Sequence, residues 1–516
     1  MTELRQMLDQ RPDLQPYLFC RGFLVTDQEL DTSAYPFYGN WNKVFIGSFI
    51  LYYHNKKKVT IYETENQTFF LIGHAYDPFA FIAEESILLK RMSENQLVWN
   101  ETNNWTGIYC VGCVTGKTIQ FTSDAAGQQL IYYGYANGKT YITSHSQIVA
   151  ELERLQQDPY INKLKKYRFF HMFGLVLPGD LSPFKELKRA QCNFYITMND
   201  GETEVNRYWP IKPIYGNSVK TETITEIIHN NLALISMKWP NKKAAISVTG
   251  GMDSKTTMAC ANGLYERFSY FSYDSLPDEK VDADAAHSLC KKLGLSHTIY
   301  KIPKENNNIP DYNIWNEILY YNCGCIGYVH ANDVRKRAFF SSNNDFEIEV
   351  KSWVDEIGRA RYHKRFNKKA FPQKLTKRYL SSLYKPFLTE RMLLHRTDKV
   401  FAEYLKKYYE GAFKLIPWWD LVYWEFEWNA AEGAFLTGEH LLSYDITIPF
   451  NNRKLLELML SVPLEDRIND EIQKKAIHLM NPLIEQTGIH VQDISHTINR
   501  ARLERAYLEI NTRLPF

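Results

Sequence analysis

One stretch, Ala244–Gly263 (AAISVTGGMDSKTTMACANG), constrains this chain more than any other. Ala244-Ala245-Ile246-Ser247-Val248 reads as a buried parallel strand, because such strands are covered on both faces and carry near-continuous apolar runs. Thr249-Gly250-Gly251-Met252-Asp253-Ser254 follows as a tight turn, and Lys255–Cys260 opens a helix. Glycines let a phosphate approach the backbone, and a helix N-terminus offers free N–H groups and the positive end of its dipole. Ser247, Thr249, Gly250, Gly251 and Ser254 are therefore candidate phosphate contacts, and Asp253 can hold a metal ion on that phosphate. The alternative is a Gly-Gly turn in an unrelated α/β protein.

The surrounding pattern supports a sheet of parallel strands. From about Thr221 the chain alternates between helix and strand. Thr221–Trp239 is a helix leading into the Ala244 strand. Phe268–Tyr273 is a second strand, Ala283–Leu293 a helix closed by Gly294, and Thr298–Ile302 a third strand. Asn332–Ala338 is helical, and Asp345–Val350 is a further strand. This order predicts a doubly wound sheet with ligands at the carboxyl ends of its strands, and it puts Ser272 beside the base of a nucleotide.

Residues 1 to about 210 read differently. Val44–Tyr53, Thr60–Glu65, Thr68–Ile72, Gly107–Val114, Lys117–Ser123, Gln129–Tyr135 and Lys139–Ser144 are short strands between turn residues, which predicts two packed sheets. At 516 residues, two or three domains are expected; the division falls at 1–210 and 211–516. A net charge of +2 argues against a chain-wide nucleic-acid surface. MTELRQMLDQ has no apolar core and predicts no signal peptide, and no run is long enough to span a bilayer. A cytoplasmic location is the expectation, and the oligomeric state is open between monomer and homodimer. Cys110 and Cys113 form the one C-x-x-C, in the strand-like IYCVGCV, and read as core packing rather than a metal pair.

The turn Thr249–Ser254 resembles the S-G-G-x-D-S pyrophosphate loop of ATP pyrophosphatases, with Thr249 in place of the first Ser. Phe121–Ser144 is similar to part of a class II glutamine amidotransferase domain, and Phe173–Ile211 to the segment before the synthetase domain of asparagine synthetases. DADAAHSLCKKLGLSHTIY also fits that family at its position, so the chain resembles the asparagine synthetase family over most of its length. The resemblance implies an amidotransferase-like two-sheet domain followed by an ATP-pyrophosphatase domain with a helical C-terminal part. It implies ATP and Mg²⁺, cleavage to AMP and pyrophosphate, and activation of a carboxylate for attack by an amine.

Lys351-Ser352-Trp353-Val354-Asp355-Glu356-Ile357-Gly358-Arg359 stands where the family has S-G-E-G-S-D-E-x-F-G-G-Y. Asp355 maps onto its metal-binding Asp, and Tyr362 roughly onto its Tyr. Two carboxylates from separate loops would hold Mg²⁺ against a multiply charged leaving group, and Asp253 with Asp355 would be that pair. An N-cap followed by an acidic first-turn residue is the local alternative for Asp355-Glu356. The family's glycines and Glu are replaced here by Ser352 and Trp353, and small residues by Arg359 and Arg361. Tyr444–Leu458 is similar to E-V-R-V-P-F-L-D-H-R-L-V-E-F, with Thr447 for its Arg and Asn452 for its Asp. Ile468–Pro482 resembles the segment that carries the family's site lysine. Lys474 fits it, with Lys475 as an alternative; such a cation stabilises charge on the breaking phosphate ester.

Position 2 is Thr where family glutaminases carry Cys, and Gly73-His74-Ala75-Tyr76-Asp77 replaces their N-G-E-I. The first domain is therefore expected to lack glutaminase activity, as in β-lactam synthetases and lasso-peptide cyclases. The expected activity is an AMP-forming ligase joining a small-molecule or peptide carboxylate to an amine not drawn from glutamine. A non-ligating nucleotide or anionic-polymer binder and an ammonia-dependent asparagine synthetase are the alternatives. Residues 359–385 carry ten Lys/Arg and no acid, and read either as a solvated face or as a dock for an anionic partner. Ile416–Phe435 is dense in Trp, Tyr and Phe, and reads as core with some rings lining a pocket. Val491–Phe516 is expected to be an amphipathic helix.

Overall fold

The computed structural model of the chain describes residues 3–95, 98–168, 170, 176–214, 220–325, 330–366, 371–385, 387–438, 440–485 and 502–510. Thr2 lies outside the described residues. Of the expected final helix only 502–510 is described, and it is helical.

The short strands of the first half pair into two antiparallel sheets of six strands each. In chain order they are β1 (Phe23–Thr26), β2 (Trp41–Ile46), β3 (Phe49–His54), β4 (Val59–Glu63), β5 (Thr68–Tyr76), β6 (Thr106–Thr115), β7 (Thr118–Ser123), β8 (Tyr132–Ala136), β9 (Lys139–Thr143), β10 (Leu187–Arg189), β11 (Phe194–Asn199) and β12 (Glu202–Arg207). One sheet runs β10-β8-β9-β1-β3-β2 and the other β12-β11-β7-β6-β5-β4. Alternation sends Phe23, Val25 and Leu51 of the first sheet against Phe70, Ile72, Ile119 and Phe121 of the second. Each such fully buried side chain contributes about 1.5–3 kcal/mol. The opposite face of the first sheet (Leu24, Tyr52, Tyr141) is covered by the helices Glu3–Gln10 and Tyr312–Asn322. The expected strand Val44–Tyr53 is a hairpin instead. It turns at Gly47-Ser48, where Gly47 takes φ +58°, and Ile46 pairs with Phe49. Cys110 and Cys113 are free, buried thiols that belong to different hydrophobic clusters, so they do not share a metal.

The second half is organised by five parallel strands: β13 (Ala244–Ser247), β14 (Ser269–Asp274), β15 (Thr298–Lys301), β16 (Ile348–Val350) and β17 (Asp445–Thr447). Their order is β15-β14-β13-β16-β17. The chain winds outward from β13 through β15, then crosses to the other side for β16 and β17. This is a doubly wound sheet. Its direction reverses between β13 and β16, where the loops leave the strand ends on opposite sides and open a crevice. Ala244, Ala245 and Ile246 are fully buried, as a two-sided strand requires. Between β16 and β17 lies the helical part of the chain.

The two halves meet at the segment after β17. Asn451 receives the Ala126 N–H at 2.9 Å and donates to Asp124 Oδ1 at 2.9 Å. Asn452 caps the helix Arg453–Ser461 by accepting from the Leu455 N–H, and it donates to the Asn104 carbonyl of the sandwich. Among the described residues no helix is long and apolar enough to cross a membrane.

Candidate functional site

The turn after β13 begins the site. Gly251 is the N-cap of the helix Met252–Cys260, with an ordinary φ of −72°. A Cβ there would meet only Thr249 Oγ1, at 3.4 Å. Neither backbone conformation nor crowding within the chain demands glycine at this position; what it leaves open is approach from outside. The turn holds itself with the Thr249 N–H donating to Ser254 Oγ (2.9 Å) and the Gly251 N–H to Thr249 Oγ1 (3.3 Å). The Gly250 N–H donates to the Asp282 carboxylate at 3.2 Å, so a carboxylate already occupies one of the anion-binding donors.

A cavity of about 540 Å³ opens on this turn. Ser247, Thr249, Gly251, Asp253, Ser254 and Ser272 line it, within the size range of small-ligand sites. Ser272 hydroxyl donates to the Val248 carbonyl (2.5 Å) and lies 3.0 Å from His297 Nε2. Burial pulls that imidazole down to about 4, so it is neutral.

The loop after β16 closes the other side. Lys351 is buried and faces the cavity, 3.4 Å from Glu349 and with its ammonium 4.2 Å from the Trp353 ring centre. Burial lowers Lys351 against the pull of Glu349. Trp353 meets Trp428 at 6.2 Å, and the two rings form a wall of the cavity. Trp428 belongs to the helix Tyr423–Glu432, which is wound as a π-helix, a rare conformation concentrated at functional sites. The aromatic run therefore divides as expected: Trp424 and Phe426 are core, and Trp428 lines the pocket. Glu432 also lines it, with no hydrogen bond or ion pair among the described residues; burial, then Glu356 and Glu427, push its carboxyl up to about 7. Tyr362 is buried and donates to Glu427 Oε1 at 2.7 Å.

Asp355 is brought next to Asp253, but not as a metal pair. Val354 just before it sits at φ +74°, a costly conformation for a β-branched residue, and Gly358 after it is pressed against Met459. That turn delivers Arg359 between the carboxylates. Its guanidinium bonds Asp253 Oδ1, reaches Asp470 with Nε at 2.7 Å and Nη2 at 3.2 Å, and lies 3.9 Å from Asp355 Oδ2. Burial pushes Asp355 up to about 7, against a hydrogen bond from Gln473 Nε2 (2.9 Å), with Asp470 and Glu356 adding to the rise. Burial also raises Asp470, but Arg359 and Lys364 outweigh it and hold its carboxyl below the usual range. Among the described residues no group of three His, Cys, Asp or Glu side chains converges to hold a metal. The expected Mg²⁺ position therefore does not fit a divalent ion: a guanidinium already bonds Asp253 and stands 3.9 Å from Asp355, in the space between the two carboxyl groups.

Lys474 is not brought to the site. It stands on the solvent face of the helix Glu471–Met480, 53% exposed and 3.2 Å from Glu471. The inward residue beside it, Gln473, is the one that reaches Asp355. Lys475 lines a separate cavity of about 750 Å³, where Arg467 and Asp420 are paired with each other at 2.9 Å. That cavity is larger, but it has neither a phosphate turn nor an uncommitted charge from this pair. The lysine that lines the cavity is Lys351, which the sequence offered only as the first residue of a loop.

The basic stretch 359–385 is mostly turned inward. Beyond Arg359, Arg361 pairs with Glu356, Lys364 with Asp470, Arg365 with Glu504 and Arg378 with Asp398. Lys385 is buried, donating to the Phe170 carbonyl. Lys374 and Lys377 are exposed, and Lys368 and Lys369 lie outside the described residues. Five of the eight described charges are thus engaged at least half-buried within the chain, while Arg361, Lys374 and Lys377 face solvent.

No protein-family model matches the chain, and no curated protein does. Among solved structures it is similar to one described as the allosteric regulatory enzyme of purine biosynthesis, at 10% identity over 50% of this chain, with a TM-score of 0.24. Another is a glutamine phosphoribosylpyrophosphate amidotransferase from B. subtilis complexed with ADP and GMP, at 9% identity over 55% of this chain, with a TM-score of 0.21. The chain spans 61% of the length of each. Likeness at these TM-scores carries no argument about this chain.

Proposed function

We propose that the chain is an ATP-dependent, AMP- and pyrophosphate-forming ligase that activates a carboxylate and joins it to an amine. The observation that carries this reading is the cavity at the β13/β16 reversal, floored by the turn Thr249–Ser254 and walled by Trp353 and Trp428. The resemblance of the turn to the pyrophosphate loop of the asparagine synthetase family supplies the reaction class.

In this reading the phosphates lie on the turn N–H groups, displacing Asp282, with Ser272 near the base. A substrate carboxylate attacks the α-phosphate, and pyrophosphate leaves. Lys351 is the cation that faces the growing charge; a donor fixed in a water-poor site needs no reorganisation at the moment of reaction. The amine then attacks the carbonyl of the acyl-adenylate, the bond to the phosphate oxygen breaks so that AMP leaves, and the nitrogen gives up a proton. Glu432, on the cavity wall and raised to about 7, would take that proton. The Trp353–Trp428 wall sets the shape of the acid or amine that enters. The two-sheet half is read as amidotransferase-like without glutaminase activity, and the protein as cytoplasmic.

The test is AMP release from α-³²P-ATP with panels of carboxylic acids and amines, without glutamine. Wild type should form AMP, and Lys351→Ala should reduce it at least ~100-fold, a loss of about 2.7 kcal/mol of transition-state stabilisation. ATP bound without AMP formation under every condition would favour the second reading, a nucleotide-binding chain that does not ligate. Arg359 between the carboxylates is the observation that favours that reading.

A further inference from the structure

The carboxylates of Asp253 and Asp355 come from the two loops that flank the reversal of the sheet, where a divalent cation on a polyphosphate would have to sit. Arg359 is there instead. Three carboxylates, Asp253, Asp355 and Asp470, surround one guanidinium. Its side chain is 16% exposed and Asp355 is fully buried. The arrangement is fixed from several sides. The Nε and Nη2 edge grips Asp470 as a fork, Nη1 faces Asp253 and Asp355, and Lys364 supports Asp470 from beyond. The backbone that delivers it is constrained at both ends, by Val354 and Ala360 in the left-handed region and by Gly358 under Met459. A planar, permanently charged fork matches this set of oxygens in a way that a hydrated Mg²⁺, which demands octahedral geometry and keeps its waters, does not.

We propose that Arg359 is the resident counter-cation of the site. It excludes a divalent ion from Asp253 and Asp355, and its guanidinium, once turned toward an entering anion, receives a polyphosphate directly. The second half of this statement rests on the nucleotide reading above; the exclusion of the metal does not.

The experiment separates the two. Mn²⁺ alone is titrated into wild type, Asp253→Asn, Arg359→Met, Arg359→Lys and Arg359→Met/Asp253→Asn, followed by electron paramagnetic resonance and by the melting temperature. Wild type and Arg359→Lys should take up no Mn²⁺ at this site and show no shift. Arg359→Met leaves buried carboxylates without their cation, so it should melt lower, bind one Mn²⁺ and recover stability with it. Adding Asp253→Asn should remove that binding. Mn²⁺ uptake by wild type that Asp253→Asn abolishes would overturn the proposal, as would Arg359→Met that folds yet gains no Mn²⁺. If Arg359→Met does not fold, Arg359→Lys and wild type against Asp253→Asn still decide whether the site admits metal. A second arm titrates inorganic pyrophosphate in EDTA. Wild type should bind it, and Arg359→Met should bind at least ~10-fold more weakly until Mn²⁺ is supplied. Pyrophosphate bound by wild type only with Mn²⁺ would overturn the direct-contact step. Pyrophosphate and ATP bound by no variant under any condition would instead sink the nucleotide reading, with the Mn²⁺ result standing on its own.

Discussion

The two loops at the reversal of the parallel sheet solve opposite problems. The loop after β13 is built of backbone. Its donors are N–H groups, one held provisionally by Asp282, and Gly251 leaves space that nothing in the chain fills. The loop after β16 is built of side chains. Trp353, Lys351 and Arg359 fill the space in front of it, and its glycine, Gly358, is spent on packing against Met459. In the proposed reading one loop receives an anion from outside; the other has brought its own cation. A site of this kind is open on one side and filled by its own side chains on the other.

The sharpest way to break that comparison is to substitute the two glycines. Gly251→Asp puts one of the best N-cap residues at the start of a helix, where a carboxylate also suits the dipole. Stability should hold or rise by a few tenths of a kcal/mol. A negative charge in the phosphate cradle should nevertheless weaken ATP binding by ~100-fold or more. Gly358→Ala should do the reverse. Its Cβ would fall 2.6 Å from Met459 Cε and 2.9 Å from Met459 Cβ, so it overpacks and should cost about 1–3 kcal/mol. Urea unfolding and ATP titration on both variants read this directly. Equal losses of stability would mean that Gly251 is a packing residue too, and the contrast would collapse.

The same contrast explains how much of the site is legible in the sequence. The first loop is local: strand, turn and helix cap lie within about twenty residues, so pattern and spacing suffice. The second depends on partners far away. Arg359 meets Asp470, 111 residues on, and nothing in RARYHKRF says which charge faces which. For that reason 359–385 reads as a surface stripe although five of its eight described charges are engaged at least half-buried within the chain. Lys474 and Gln473 differ by one step of 100° around a helix, and only packing decides which of them looks inward. The hairpin at Gly47-Ser48 was missed for a related reason. Apolar residues run through both of its strands, and a two-residue turn between them leaves the run nearly unbroken. Lys351 had a weak signal available: a lysine directly after a strand that ends at the ligand side of the sheet.

A finer test sits on the wall between the two loops. The folded chain raises Glu432 from an ordinary 4.5 to about 7 through burial and its acidic neighbours. The folded state therefore holds this proton more strongly than the unfolded state. The resulting stabilisation is present in full below about 4.5 and is lost as the pH rises through 7. Glu432→Gln removes that dependence. Between pH 5 and 8 wild type should lose on the order of 2 kcal/mol more than the variant in urea unfolding. If AMP formation occurs, its rise with pH near 7 should flatten in Glu432→Gln. Parallel stability curves would show that Glu432 is solvated, and the proton-accepting role would go with it.

The smallest expected effect concerns Lys474, and it tests whether the geometry of the site is complete as it stands. An exposed lysine paired with Glu471 three residues away contributes about 0.5 kcal/mol or less. Lys474→Ala should change the melting temperature by about a degree and AMP formation by less than ~2-fold, while Lys351→Ala, which strips a buried cation from the cavity, should abolish it. In the proposed reading Lys474 does not face the breaking phosphate ester, because the helix Glu471–Met480 presents Ile472, Gln473, Ala476 and Ile477 inward and holds Lys474 outside. To bring Lys474 in, the helix would have to turn by about a quarter of a revolution, break the Gln473–Asp355 hydrogen bond and bury Glu471 beside it. A large loss of activity in Lys474→Ala would mean that this rotation happens when substrate binds. The side-chain-built loop would then be a closed state that opens, rather than a specialised one that stays.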